Sequence, residues 1–540
     1  MTSRKKQALI TGALTSSAGI FISKALGLLY VAPFVVMATD ANSGYYAAAY
    51  SLYDTLLNIS AAGIPFAVAA LVAKYYSRED YKTVILVRKL SMGILLVNGF
   101  IMGIALLLFA GQYASFTSAA DATADSIMKY RNVLMILSLA LFLVPYLSSY
   151  RGFYQGLKDM KAYAVSQVLE QFTRVGALLL LGAICVYVFK MDGIWAVYMA
   201  ILSAGLAAFI SILYFKNLDR FEYREIRRLA KQQESAGKEQ SVLLREIVAY
   251  GLPFLLVAFL GNSMNIVNML YFERTIKGVT PELASTLYSI IHLQCNKLTS
   301  IPQVLAIGFG ASLVPYITVA YEKRDLKELR KNILDCLNSV LYIALPLCFC
   351  LLILSRPIYY VMYGSSNLDY GAEVLAFSSF LALTGTISPI LSNILLSLKQ
   401  RRAVVVFLTC IFIIKVVSFF PLMNYTGYTG AITSSIIAGF VMILLSLWFL
   451  SKKFNVSFQL LNKRLIQMGV GLVAMYGSFV LLRLVGIDLA CSSRLFTVFQ
   501  LAICGIVGFV VYFITTAFFQ LPQIIFKTNM SSLFKKLIRR

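Results

Sequence analysis

Long apolar stretches, interrupted at regular intervals by short clusters of charge, run along this chain from one end to the other. Windows bounded by charges fall near residues 10–37, 45–72, 88–111, 128–149, 164–188, 194–215, 247–272, 285–317, 332–354, 372–397, 403–423, 428–450, 465–486 and 495–518. At ~1.5 Å rise per residue, about 20 apolar residues cross a hydrocarbon core of ~30 Å. Strands of a membrane barrel would be about ten residues long and strictly alternating, and these runs are neither. The pattern predicts an all-α polytopic membrane protein with fourteen transmembrane helices.

Composition agrees. Of 540 residues, 59% are hydrophobic and 13% charged, where soluble domains carry about 25% charged residues. Cys185, Cys348, Cys350, Cys410 and Cys504 lie inside apolar runs, and no CxxC pair or Cys/His ligand spacing occurs. The cysteines are expected as small apolar packing groups, with no disulfide framework and no metal site. No phosphate-cradling GxxxxGK[ST] loop is present, so no cofactor is expected. The apolar stretch after Arg4-Lys5-Lys6 continues past Lys24 to about Met37 without a small-residue cleavage site. It is expected as a retained first span rather than a signal peptide.

The net charge of +24 would suggest nucleic acid in a soluble protein. In a membrane protein it records orientation instead, and no nucleic-acid partner is expected. The even-numbered connections and both termini hold 36 of the 48 Lys and Arg, while the odd-numbered connections with adjoining helix ends hold 8. That bias predicts that both termini are cytoplasmic. The longest hydrophilic connection, 217–246, is rich in Arg, Lys, Glu and Gln. It is expected as a solvated linker with some helix; attraction to anionic lipid is a further reading of its basic residues.

Two local matches suggest an internal repeat. Ile64-Pro65 and Ile301-Pro302 lie 237 residues apart. Pro145-Tyr146-Leu147-Ser148 and Pro389-Ile390-Leu391-Ser392 lie 244 apart, and a Leu-Lys pair follows each, at Leu157-Lys158 and Leu398-Lys399. The expected organisation is a six-helix bundle over 1–216, the linker, a second six-helix bundle over 247–451, and two additional helices with a basic tail over 452–540. Six spans return the chain to its starting side, so the repeat is parallel, a pseudo-two-fold about the membrane normal, as in transporters that alternate access around a midplane site.

Ionisable groups inside a membrane are costly and are functional-site candidates. They are Lys24, Asp54, Glu170, Arg174, His292, Lys297 and Lys415, an excess of about two positive charges with His neutral. A water-filled cavity receiving an anionic, phosphate-bearing substrate would account for that excess. Glu170 and Arg174 are spaced to pair along one helix face, and Asp54 is a candidate partner for Lys24. His292 serves equally as a packing residue or a titrating switch. Asn262, Asn265 and Asn268 form a polar stripe that either bonds between helices or lines a cavity.

The stretch Tyr150-Arg151-Gly152-Phe153-Tyr154-Gln155-Gly156, followed by Ser166-Gln167-Val168-Leu169-Glu170-Gln171-Phe172-Thr173-Arg174-Val175, resembles a specific branch of transporters. It is similar to the stage V sporulation protein B / YtgP branch of the multidrug/oligosaccharidyl-lipid/polysaccharide exporter superfamily. Ala62-Gly63-Ile64-Pro65 and Ser312-Leu313-Val314-Pro315 agree with it. The resemblance implies a flippase in a bacterial plasma membrane, expected as a monomer, for undecaprenyl-diphosphate-linked glycans and above all the peptidoglycan precursor lipid II. Ser23-Lys24-Ala25-Leu26-Gly27 matches the frame of a cavity arginine in the MurJ-like lipid II flippases, with Lys in place of Arg. The resemblance thus implies a substrate-diphosphate role for Lys24, without the bidentate fork of Arg. Further basic positions of that pattern are occupied by Tyr30 and by Leu57 or Asn58. The resemblance also implies that the last two spans help form a groove for the lipid tail. Lys24, Asp54, Asn58, Asn262, Asn265, His292, Lys297 and Lys415 are the candidate substrate-contacting set, and Glu170 and Arg174 the candidate structural or gating pair. No catalytic residue is expected. Flipping of another lipid-linked polysaccharide or a teichoic-acid unit is the nearest alternative. A multidrug exporter would call for acidic cavity residues, and a membrane polymerase for a catalytic cluster in a substantial outer loop.

Overall fold

The computed structural model describes residues 26–28, 30–234, 237–489, 491 and 493–526. Every regular element among them is helical: α1 (Val31–Ala38), α2 (Asp40–Tyr76), α3 (Tyr81–Thr117), α4 (Ala124–Gly156), α5 (Met160–Ala183), α6 (Ile194–Asp219), α7 (Glu222–Gln232), α8 (Gln240–Gly261), α9 (Ser263–Thr275) and α10 (Pro281–Ser289) come first. They are followed by α11 (Asn296–Glu322), α12 (Leu326–Ile353), α13 (Ser355–Tyr363), α14 (Leu368–Ser397), α15 (Arg401–Thr426), α16 (Thr429–Phe454), α17 (Gln459–Leu484), α18 (Arg494–Phe518) and α19 (Leu521–Phe526). Wider π-type turns extend α5 over Ile184–Val188 and lead into α11 over Ile290–Cys295.

Ten of these helices are long and apolar enough to cross a membrane, or eleven if a bent pair counts as one span. The protein is an all-helical, multi-pass membrane protein. The expected spans at 10–37, 45–72 and 285–317 do not meet the same test among the described residues; shorter apolar helices at Leu26–Ala38 and Gly63–Tyr76 overlap the ends of the first and second. The bent pair is Leu255–Gly261 with Ser263–Thr275, at 42°. Its break has a local cause. Asn262 Nδ2 donates to the Ala258 carbonyl at 3.0 Å, and Ser263 Oγ to the Leu260 carbonyl at 2.6 Å.

Two compact units divide the chain, 1–294 and 295–540. Within the first, α4 packs against α2, α3 and α6, α5 against α6, and α8 and α10 against α2. Within the second, α11 packs against α12 and α14, α16 against α14 and α15, and α17 against α18. Tyr342 of α12 joins α18, its hydroxyl 2.9 Å from Thr516 Oγ1 and its carbonyl accepting from Tyr512 at 3.4 Å.

Four connections share one construction. Glu79, Lys158, Arg324 and Lys399 adopt left-handed backbone (φ 60°, 65°, 57° and 59°). In each case the next residue's N–H closes back on the carbonyl five residues earlier, Asp80 on Tyr75, Asp159 on Tyr154, Asp325 on Ala320 and Gln400 on Leu395. This is a Schellman helix stop. In three of the four the closing residue is an aspartate that caps the following helix, accepting from Thr83, from Lys161 and Ala162, and from Glu328 backbone N–H groups. One turn thus ends one helix and starts the next.

The hydrophilic segment expected as a solvated linker is docked on the first unit. Tyr223, Ile226 and Ala230 of α7 are buried, and α7 packs on α3. Gln233 Nε2 donates to Asp80 and Lys238 N–H to Thr83, each at 3.0 Å. Glu246 accepts from the Tyr75 hydroxyl at 2.7 Å and pairs with Lys238 at 3.0 Å and Lys74 at 3.5 Å. The spacing of its apolar residues gives α7 one buried face, a signal that net hydrophilicity conceals.

Candidate functional site

A cavity with mixed polar and apolar walls is built in the first unit by α2, α4 and α5. Two glycines bring α4 onto α2. A Cβ on Gly152 would lie 2.7 Å from the Pro65 carbonyl oxygen, and one on Gly156 would lie 2.8 Å from that of Ala69. With that approach fixed, Arg151 turns toward α5. Its Nη2 meets Glu170 Oε2 at 2.5 Å and the Ser166 carbonyl at 3.3 Å, and its Nε donates to Ser166 Oγ at 3.2 Å. The cavity encloses about 460 Å³. Asp54, Ser148, Arg151, Gln155, Tyr163, Gln167 and Glu170 give it polar walls, and Leu57, Pro65, Phe66 and Val144 close it with apolar ones.

This geometry corrects the expected pairing of Glu170 with Arg174. Glu170 takes its ion pair from Arg151 on the neighbouring helix. Arg174 instead hydrogen-bonds Gln171 and lies over the Tyr50 ring, 5.7 Å from its centroid. Tyr50 stacks on Tyr46 at 5.7 Å, and the Tyr46 and Tyr30 hydroxyls are 3.0 Å apart. Tyr30, which stands where the resemblance called for a cation, therefore belongs to a row that ends on the Arg174 guanidinium. Arg151 is the residue that sequence reasoning missed. It sits just outside a hydropathy window, among the basic residues of an even-numbered connection; its place in the Arg-Gly-aromatic-aromatic-Gln-Gly motif is the available signal.

The other candidates are distributed. Asp54 is exposed to the cavity. Lys24 lies outside the described residues, and of Asn58 only the backbone, within α2, is described. Asn262 is spent at the α8–α9 bend, Asn265 is exposed, and Asn268 is buried with its Oδ1 unbonded among the described residues. The stripe therefore meets three different environments. His292 packs in an aromatic group, 4.3 Å from the Tyr288 ring and 6.3 Å from Phe272. Lys297 is half-buried near the start of α11, in the second unit. Lys415 is fully buried between α15 and α16, where its ammonium donates to the Ala431 carbonyl (2.9 Å), Ser434 (2.7 Å) and Ser435 (2.9 Å).

The cavity itself carries two carboxylates and one guanidinium, so the cationic excess read from the sequence is not found in it. Lys297 and Lys415 belong to the other unit, and Arg174 is engaged with tyrosines. Among the described residues no three His, Cys, Asp or Glu side chains assemble a metal site. The arrangement offers fixed polar groups for binding.

The family model described as polysaccharide biosynthesis protein matches residues 9–319. The chain belongs to this family, within the multidrug/oligosaccharidyl-lipid/polysaccharide exporter superfamily. The MatE family model matches residues 292–420. Lipid II flippase MurJ of Bacillus subtilis (strain 168) is 28% identical over 466 residues, covering 85% of this chain and 86% of that protein. Stage V sporulation protein B of the same organism is 24% identical over 377 residues, covering 69% and 70%. Among solved structures, an inward-facing multidrug resistance MATE family transporter superposes with a TM-score of 0.62 at 13% identity, over 81% of this chain and 95% of that one. An outward-facing one gives 0.56 at 14% identity, over 81% and 94%. These structures establish a MATE-like fold. For this member of the polysaccharide biosynthesis family, the motif from Tyr150 to Gly156 has a complete structural account. Its glycines seat α4 on α2, Arg151 anchors α5, Gln155 lines the cavity, and the hydroxyl of Tyr154 donates to Asp219 of α6 at 2.7 Å.

Proposed function

We propose that this protein is a flippase that carries an undecaprenyl-diphosphate-linked glycan, above all lipid II, from the inner to the outer leaflet by alternating access. The observation that carries this reading is its similarity to the lipid II flippase MurJ along 85% of the chain. The polar cavity between α2, α4 and α5 supports it: hydroxyls, amides and the Arg151–Glu170 pair suit the hydrogen-bonding groups of a sugar. Arg174 beside Tyr50 supplies a cation in the row that includes Tyr30, and Lys24 and Lys297 are proposed as diphosphate-contacting residues. Asp54, Asn58, Asn262, Asn265 and His292 complete the proposed substrate surface; Lys415 is proposed as a packing residue.

In this reading fourteen spans form two six-helix bundles, 1–216 and 247–451, related by a parallel repeat, with both termini cytoplasmic. The matched turns support the repeat. Those at 79 and 158 in the first unit correspond to those at 324 and 399 in the second. A test is depletion of the protein with lipid II followed in each leaflet. Lipid II accumulates on the inner leaflet, the intact gene reverses this, and Lys24→Ala does not. Normal outer-leaflet lipid II during depletion would remove the assignment. Accumulation of a different undecaprenyl-linked glycan would favour the second reading, transport of another polysaccharide unit, which the family match also supports.

A further inference from the structure

A second cleft, of about 360 Å³, lies at the basic end of the first unit, where α3, α4, α6 and α7 meet. It shares no lining residue with the cavity described above, although Tyr150 lines the one and its neighbour Arg151 the other. Arg88, Lys89, Lys216, Arg220 and Arg227 face a single carboxylate, Asp219. That carboxylate is already matched, because one oxygen pairs with Arg88 and the other accepts from Tyr154 at 2.7 Å. Lys89, Lys216, Arg220 and Arg227 make no ion pair among the described residues. Arg88 is 3% exposed and held among the rings of Tyr150, Phe153 and Tyr223, at 5.2, 4.4 and 3.9 Å. Its Nη1 is buried and donates no hydrogen bond among the described residues. A buried guanidinium nitrogen without an acceptor is costly, and with Glu222 counted beside Asp219 the five cations still leave the cleft net positive, which suits an anion.

The same helix says what kind of anion. Met92 lines the cleft, and one turn further along α3 Leu96 begins a shallow, open apolar groove formed by side chains of α3 alone, which continues past Phe100 and Ile104 to Phe109. That is about 20 Å of helix, against ~15 Å for one leaflet of a ~30 Å core. A free phosphate would occupy the cleft alone, whereas a lipid engages cleft and groove at once. We propose that cleft and groove together bind an anionic glycerophospholipid from the leaflet at the basic end, its phosphate against Arg88, Arg220 and Arg227 and one acyl chain along α3. Because Tyr223 and Arg227 belong to α7, the bound lipid also holds the linker helix against the bundle.

The site is tested on the full chain, delipidated in detergent and titrated in native mass spectrometry with phosphatidylglycerol, with zwitterionic phosphatidylcholine, and with phosphatidylglycerol in the presence of millimolar inorganic phosphate. Each basic residue beside an anionic headgroup is worth roughly fivefold in affinity. The exposed triple variant K216Q/R220Q/R227Q therefore loses on the order of 100-fold for phosphatidylglycerol and less for phosphatidylcholine, whose phosphate is the same but whose choline cancels the net charge, with an unchanged elution profile. V97W/I104W, which fills the groove and keeps every charge, also weakens phosphatidylglycerol binding. Equal affinity for the two lipids, or unchanged phosphatidylglycerol binding in the triple variant, overturns the site. Displacement by inorganic phosphate overturns the lipid assignment in favour of a free anion.

Discussion

Arg151 and Glu170 are 12% and 15% exposed at their side chains, close enough to full burial that removing either strands a charge. Breaking a buried pair costs about 3–5 kcal/mol. Arg151→Ala and Glu170→Ala are each expected to lower the thermal unfolding midpoint of the purified protein, and the swap R151E/E170R to recover most of the loss. A swap no better than the single variants would mean that the backbone around each residue, through Ser166, fixes the orientation. Lys415 leads to the opposite expectation. Ser434 and Ser435 already donate to the Ala431 carbonyl, at 3.1 and 3.0 Å, so an apolar replacement leaves both satisfied. Lys415→Met should be neutral or stabilising, because burying a charge without an opposite charge is costly, and should complement growth; loss of complementation with normal stability would place Lys415 in the transport path. That these lysines and arginines lie within or beside the membrane was legible from hydropathy. Their partners were not: a spacing of four residues permits the Glu170–Arg174 contact, but the α4–α5 packing offers Glu170 a guanidinium at 2.5 Å and wins.

At the scale of elements, the segment joining α6 to α8 is held by ionic contacts whose pH response has a definite sign. Burial pushes the Glu246 carboxyl up, but the hydrogen bonds from Tyr75 and Lys238 and the charges of Lys74 and Lys238 outweigh it, and the net shift is downward. Asp80 behaves alike, with burial outweighed by the bonds from Thr83 and Gln233 and by Lys238. A carboxylate held below its unfolded value stabilises the docked form above that value, and loses the contribution as pH falls through its folded one. Protection of the 237–246 backbone from hydrogen exchange, after correction for the intrinsic rate, should therefore be constant from neutral pH down to about 5 and decline below ~4. A decline beginning near neutrality would assign the docking to other groups. The helix α7 was expected from its composition, yet its docking was not. Tyr223, Ile226 and Ala230 are too few for a hydropathy window to register, although their spacing puts them on one face.

For the whole molecule, the apolar windows located nearly every long helix, because burying backbone hydrogen bonds in lipid leaves helices as the regular choice for such runs. They failed where a span is broken or polar. The 247–272 window hides the Asn262 bend, and the long α2 carries Asp54 and a central proline in the region expected to cross. These breaks decide the span count, and the four matched turns allow it to be measured. If the α8–α9 pair and the 285–317 segment each cross once, four crossings separate the turn at Lys158 from that at Arg324, and both face the same side. Cysteines placed at these exposed positions should both resist an impermeant thiol reagent in intact cells and react after permeabilisation. Cysteines at Asp121 and Ser365, in connections of the opposite parity, should react without permeabilisation. Protection at 158 with reactivity at 324 would require an odd number of crossings between them, which removes both the fourteen-span layout and the parallel relation of the two bundles. Reversal at all four positions would keep the repeat and invert the orientation, placing the docked α7 and the basic cleft on the outer face.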